Sequence, residues 1–128
     1  MQTFIGIVIA LIIFGVLVLI HEFGHFIVAV KNKVTVNEFS IGMGPRIYSH
    51  VAKSGTRYSL KLLPLGGSCA MLGEDEDNNE EGSFNSKSIW ARMAIVFAGP
   101  FFNFILAFVL ALIVIGAKGI DKSYVTYV

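Results

Sequence analysis

Two long apolar stretches with a shorter, mixed-polarity region between them set the plan of this chain. Phe4 to Ile20 runs for seventeen residues without a charge or a proline, and Phe26 to Val30 resumes the apolar pattern. A stretch of that length is enough to cross a bilayer as a helix, and it predicts a first transmembrane helix over Thr3 to Val30. A cleaved leader would carry Lys or Arg ahead of the apolar run and a small-residue cleavage pattern after it. Neither is present, so the helix is read as retained. A second uncharged stretch, Met93 to Ala117, predicts a returning helix, interrupted at Gly99-Pro100 and Asn103.

Between the helices the period changes. Val34 to Val36, Arg46 to Val51 and Thr56 to Leu62 are short, partly alternating runs rich in β-branched and aromatic residues, which predict strands. Gly42-Met43-Gly44-Pro45, Lys53-Ser54-Gly55-Thr56 and Pro64-Leu65-Gly66-Gly67 supply turns, with Ser54-Gly55 a hairpin tip. Glu74 to Gly82 is acidic and poor in apolar residues, hence a solvated loop; its spacing does not match a twelve-residue calcium loop. Trp90 and Arg92 then suit an interfacial anchor before the second helix. The expected fold is therefore membrane α-helical, with a small membrane-associated antiparallel β region between two transmembrane helices. Its segments are a helix over 1–33, a β region over 34–73, a loop and interfacial segment over 74–92, a second helix over 93–117, and an extracytoplasmic stretch over 118–128.

Composition agrees: 55% of the 128 residues are hydrophobic, 15% are charged and the mean hydropathy is +0.71, values of a membrane protein. The net charge of +1 and the absence of a dense basic cluster exclude a nucleic-acid partner. Cys69 is the single cysteine, so neither an intrachain disulfide nor a thiolate zinc cage can form. Lys31, Lys33, Arg46, Lys53, Arg57, Lys61, Lys87 and Arg92 lie between the helices, against Lys118 and Lys122 beyond the second. That asymmetry puts the connecting region in the cytoplasm and both ends of the chain outside.

Three polar residues fall inside the first span: His21, Glu22 and His25. Ionisable side chains at membrane depth cost roughly 2.5 to 3.5 kcal/mol each on insertion scales and mark sites or pathways. Histidines four residues apart share one helix face and can meet one metal ion, and the Glu beside the first can take a proton from a water the metal activates. His-Glu-Phe-Gly-His thus reads as a zinc-hydrolase motif, with His21 and His25 as Zn²⁺ ligands and Glu22 as catalytic base. A structural polar cluster holding helices together is the alternative. At 1.5 Å per residue, His25 and His21 lie roughly 9 and 15 Å inward from Lys31, and Asn103 roughly 16 Å inward from Arg92. Asn103 can therefore face the site from the second helix or make an interhelical hydrogen bond. An exposed edge of the β region would suit an extended peptide held for cleavage by strand addition, the alternative being a sheet that only packs against the bilayer surface.

His21-Glu22-Phe23-Gly24-His25, Gly42-Met43-Gly44-Pro45, Leu63-Pro64-Leu65-Gly66-Gly67 and Phe97-Ala98-Gly99-Pro100-Phe101-Phe102-Asn103 together resemble the N-terminal part of bacterial site-2 proteases, the sigma-E-regulator type nearest. The resemblance implies zinc-dependent intramembrane proteolysis of a single-span membrane protein such as an anti-sigma factor. It also implies His21 and His25 as zinc ligands, Glu22 as base and the segment from Val34 to Leu72 as the membrane-associated β region; Asn103, Gly42 and Gly44 are the candidate substrate contacts. Such enzymes take a third zinc ligand from an aspartate in a later Leu-Asp-Gly segment. Here the aspartates are Asp75, Asp77 and Asp121, with His50 a surface substitute at most. The chain is accordingly expected to be the N-terminal portion of a larger polytopic protease, inactive by itself. A catalytically inactive membrane scaffold or partner-binding module is the rival reading.

Overall fold

In the computed structural model, which describes residues 1–119, the order of elements is α1 (Gln2–Lys31), β1 (Val36–Val51), β2 (Arg57–Met71) and α2 (Ile89–Lys118). The stretch expected over 118–128, with Asp121 and Lys122, lies beyond Gly119 outside the described residues. Both helices are thirty residues long. At 1.5 Å per residue each reaches about 45 Å, longer than a hydrocarbon core of about 30 Å. Their most apolar windows are 0% and 11% buried within the protein, so the apolar side chains face outward along most of both helices. Exposed Phe, Ile, Leu and Val on this scale belong in lipid or against other membrane helices.

The second helix begins earlier than its hydropathy predicts. Ser88 has extended backbone and its Oγ accepts a hydrogen bond from the Ala91 N–H at 3.3 Å, which satisfies one orphan donor of the first turn. Trp90 and Arg92, expected in an approach segment, are thus already helical. Pro100 also sits inside the helix rather than ending it. Proline withholds the N–H that the Val96 carbonyl would accept and loosens the turn around it, which becomes relevant at the site.

β1 and β2 form one two-stranded antiparallel sheet, and its registers reveal a more folded arrangement than a simple hairpin. Residues 46–51 pair with 57–61 across the reversal near Gly55. Residues 57–60 pair again, on their other side, with 38–41, and here the two numberings rise together. Residues 36–41 pair in turn with 67–71. Four rows therefore lie side by side in the order 46–51, 57–61, 36–41, 67–71. The chain does reverse at the two expected turns, Gly42 to Pro45 and Pro64 to Gly67, yet the backbone stays extended through both, so each strand continues where a break is predicted. The two reversals cross each other: a Cβ on Gly42 would strike the Leu63 carbonyl, and one on Gly66 would meet the Met43 side chain at 2.9 Å. Both glycines have φ near +85°, a conformation available to glycine at little cost.

A small core ties sheet to helices. Ala29, Val34, Val36, Phe39, Cys69, Met71 and Ile95 are buried together, with Leu19, Phe26 and Phe84 against them. Phe26 of α1 packs on Phe39 and Tyr58 of the sheet at ring separations of 5.2 and 6.1 Å. The half of α1 that carries the histidines is thereby fixed to the sheet, while its first half is largely exposed beside the turn at Pro64.

Candidate metal centre

His21 and His25 follow one another by one helical turn, and their rings meet edge to face with centroids 4.8 Å apart. What stands opposite them decides their use. A Cβ built on Gly99 of α2 would lie 2.5 Å from His25 Nε2 and 2.6 Å from His21 Nε2. Both Nε2 atoms therefore face the same spot on α2, where the rings fit only because residue 99 has no side chain. Two imidazoles on successive turns whose Nε2 atoms face the same way are a donor pair that could share one zinc ion. The rest of each ring is held from behind. His25 Nδ1 donates to the Ile95 carbonyl at 2.7 Å, in the turn that Pro100 loosens. His21 Nδ1 lies 3.3 Å from the side-chain amide of Asn103.

The helices come close enough for this because Gly24 faces α2. A Cβ there would stand 2.6 Å from the Ala98 carbonyl oxygen. Small residues at such a crossing let backbones approach, which is how helices associate in lipid. Phe23 and Phe102 pack edge to face beside the contact.

Glu22 and His25 line a cleft of about 310 Å³ with Cys69, Met71, Glu74, Ile95 and Val96. Cys69 and Met71 of the row 67–71 form one wall, and a Cβ on Gly67 would stand 3.4 Å from the Glu22 side chain. Burial first, then the negative charges of Glu22 and Glu74, push the Cys69 thiol up to about 12. At neutral pH it is a protonated, weakly polar wall and no thiolate ligand. Among the described residues, no group of three or more His, Cys, Asp or Glu side chains gathers around a metal position. His50 is exposed and paired with Tyr58 in the sheet, and Asp75 and Asp77 are exposed in the loop after β2.

The structure thus joins His21, Glu22, His25 and Asn103 in one neighbourhood. Asn103 approaches the Nδ1 side of His21, away from the nitrogen that faces Gly99. Gly42 lies at the chain crossing against Leu63, and a Cβ on Gly44 would meet open space. Sequence reasoning missed Gly99, which it treats only as an interruption of the second helix. It also missed the Ile95 carbonyl, since a backbone acceptor leaves no trace in residue type.

Comparison with known proteins agrees with this geometry. The model of peptidase family M50 matches residues 9–126. A Clostridium acetobutylicum protein named "putative zinc metalloprotease" is 49% identical over 119 residues, which are 93% of this chain and 35% of that protein. Proteins with the same description from Clostridium perfringens and Vibrio cholerae are 39% identical over 122 residues and 46% identical over 109, covering 95% and 82% of this chain and 36% and 24% of theirs. The chain spans about a third of the length of the first two of these relatives. A paired-histidine cradle between two apolar helices and a family match over nearly the whole length lead to one conclusion: the chain belongs to peptidase family M50, the site-2 zinc metalloproteases, and is a membrane protein.

Proposed function

We propose that a protein containing this chain is a zinc-dependent intramembrane endopeptidase that cuts the transmembrane segment of single-span membrane proteins, anti-sigma factors among them. The observation that carries this reading is that His21 Nε2 and His25 Nε2 face one spot on α2, at Gly99. His21 and His25 hold the zinc, and a third ligand comes from an aspartate in a segment outside this chain. Bound zinc supplies a Lewis acid that polarises the scissile carbonyl and lowers the pKa of a water towards about 7. Glu22, in the cleft beside His25, takes the proton from the attacking water and returns it to the departing amine. Ile95 O and Asn103 keep the imidazoles from turning away, and the connecting region with its basic residues faces the cytoplasm.

The outermost row, 67–71, adds to the proposal. Among the described residues it pairs in the sheet only with 36–41, so an extended segment can add at its other edge, where the Met71 N–H donates to the Glu74 carboxylate at 3.4 Å. Because Cys69 of this row lines the cleft with Glu22 and a Cβ on Gly67 would reach the Glu22 side chain, a strand added there lies beside the base. Adding that strand offsets backbone hydrogen bonds that a transmembrane helix loses on unwinding.

The test uses full-length protein in detergent with a single-span reporter substrate. Glu22→Gln is expected to retain stoichiometric zinc and lose cleavage, whereas His21→Ala loses zinc. Zinc content unaffected by His21→Ala, or cleavage by Glu22→Gln at the wild-type rate, would reject the mechanism and favour a non-catalytic membrane scaffold.

A further inference from the structure

The environment of His21 differs from that of His25 in one respect. A neutral imidazole that offers Nε2 to a metal carries its proton on Nδ1, and that proton needs an acceptor. His25 has one that cannot change character, the Ile95 carbonyl. His21 Nδ1 faces the amide of Asn103, which can present either an oxygen or an NH₂ group. With Nδ2 toward His21 at 3.3 Å, Asn103 Oδ1 is buried without a hydrogen-bond partner among the described residues. A buried, partnerless carbonyl oxygen is costly, and it lies a half-turn about Cβ–Cγ from the ring nitrogen.

We propose that Asn103 is the positioning residue of His21, its Oδ1 accepting the Nδ1–H and so fixing the tautomer that leaves Nε2 free at the Gly99 cradle. The inference rests on the zinc-site reading above. The two amide orientations demand opposite tautomers. Nδ2 donating to Nδ1 leaves the proton on Nε2, where it blocks coordination; Oδ1 accepting from Nδ1–H frees Nε2. A half-turn of the amide exchanges a buried partnerless oxygen for a buried NH₂, a swap of similar cost on both sides. The choice is thereby left to what Nε2 meets, and a cation at the cradle selects the oxygen-inward orientation. Asn suits this task at membrane depth because a carboxylate acceptor brings a charge into the span, whereas an amide accepts while neutral.

The test is zinc affinity of the full-length protein in detergent, by competition with a chromophoric chelator, with the absorption spectrum of the cobalt-substituted protein as a second readout. Asn103→Leu keeps the approximate volume and removes the acceptor; it is expected to weaken zinc binding by roughly 10- to 100-fold, the usual effect of losing an outer-shell partner. Asn103→Asp, which presents oxygen in either orientation, is expected to bind zinc at least as tightly as wild type with an unchanged cobalt spectrum. A packing role predicts the reverse order. Wild-type zinc affinity in Asn103→Leu overturns the proposal, as does tenfold weaker binding in Asn103→Asp, so a variant that fails to fold leaves the other to decide. His21→Ala separates the two levels: if it leaves zinc unchanged, the zinc site itself is wrong; if it abolishes zinc while Asn103→Leu does not weaken it, only the role of Asn103 falls.

Discussion

Replacing Gly99 by alanine adds one methyl group, and the structure says where it goes. The new Cβ lies 2.5 Å from His25 Nε2 and 2.6 Å from His21 Nε2, inside any allowed contact, so both donor atoms must move. Relief by turning either ring breaks its bond from Nδ1, to Ile95 O for His25 or to Asn103 for His21. Such a bond contributes about 0.5–1.5 kcal/mol, and the turned ring no longer aims Nε2 at the cradle. Losing an outer-shell partner alone costs roughly 10- to 100-fold in metal affinity. Displacing the ligand atoms themselves should reach at least the upper end, about 100-fold or about 2.7 kcal/mol. The assay is zinc competition on full-length protein, with Gly116→Ala as control, since a Cβ on Gly116 of the same helix meets nothing within 4 Å. Helix propensity improves in both variants and so cannot explain a difference between them, and thermal unfolding of Gly99→Ala separates loss of the donor geometry from overpacking at the helix crossing. Wild-type zinc affinity in Gly99→Ala would refute the claim that the two Nε2 atoms and Gly99 together form the metal cradle.

Two further outcomes follow from the sheet. The hydrogen bond from Arg46, opposed in part by desolvation, holds the Glu38 carboxyl below its usual value of 4.5, with Lys61 adding attraction. A depressed folded value contributes stability above pH 4.5 that is lost as pH falls through the folded value. Thermal unfolding followed below pH 4.5 should show this loss in wild type and a flatter profile in Glu38→Gln; identical profiles would remove the pair from the acid response. Single proline substitutions from Gly67 to Met71 should slow cleavage of a membrane substrate while zinc occupancy stays intact, measured on the same samples. Unchanged turnover in every folded variant would dismiss strand addition at this row.

How much of this was open to sequence reasoning depends on the range of the interaction concerned. The two apolar spans are local properties, since a run such as Phe4 to Ile20 needs nothing distant to be read as lipid-facing. Placing His21 and His25 on one face is equally local, because the helical period is fixed by backbone geometry. The sheet is an intermediate case. The glycines at 42, 44 and 66 announce reversals, but one register runs parallel and the reversals cross, facts that depend on which rows lie beside which.

By itself, then, the sequence determined the helices, the paired imidazoles with Glu22 between them, and the places where the β region turns. Only the tertiary structure decided what faces those imidazoles: the side-chain-free spot at Gly99, the Ile95 carbonyl seventy positions from His25, and the Asn103 amide eighty-two positions from His21. The reason is physical. Periodicity encodes the side of a helix on which a residue lies, whereas its partner is set by the depth and rotation at which a second helix packs, here permitted by Gly24 against Ala98.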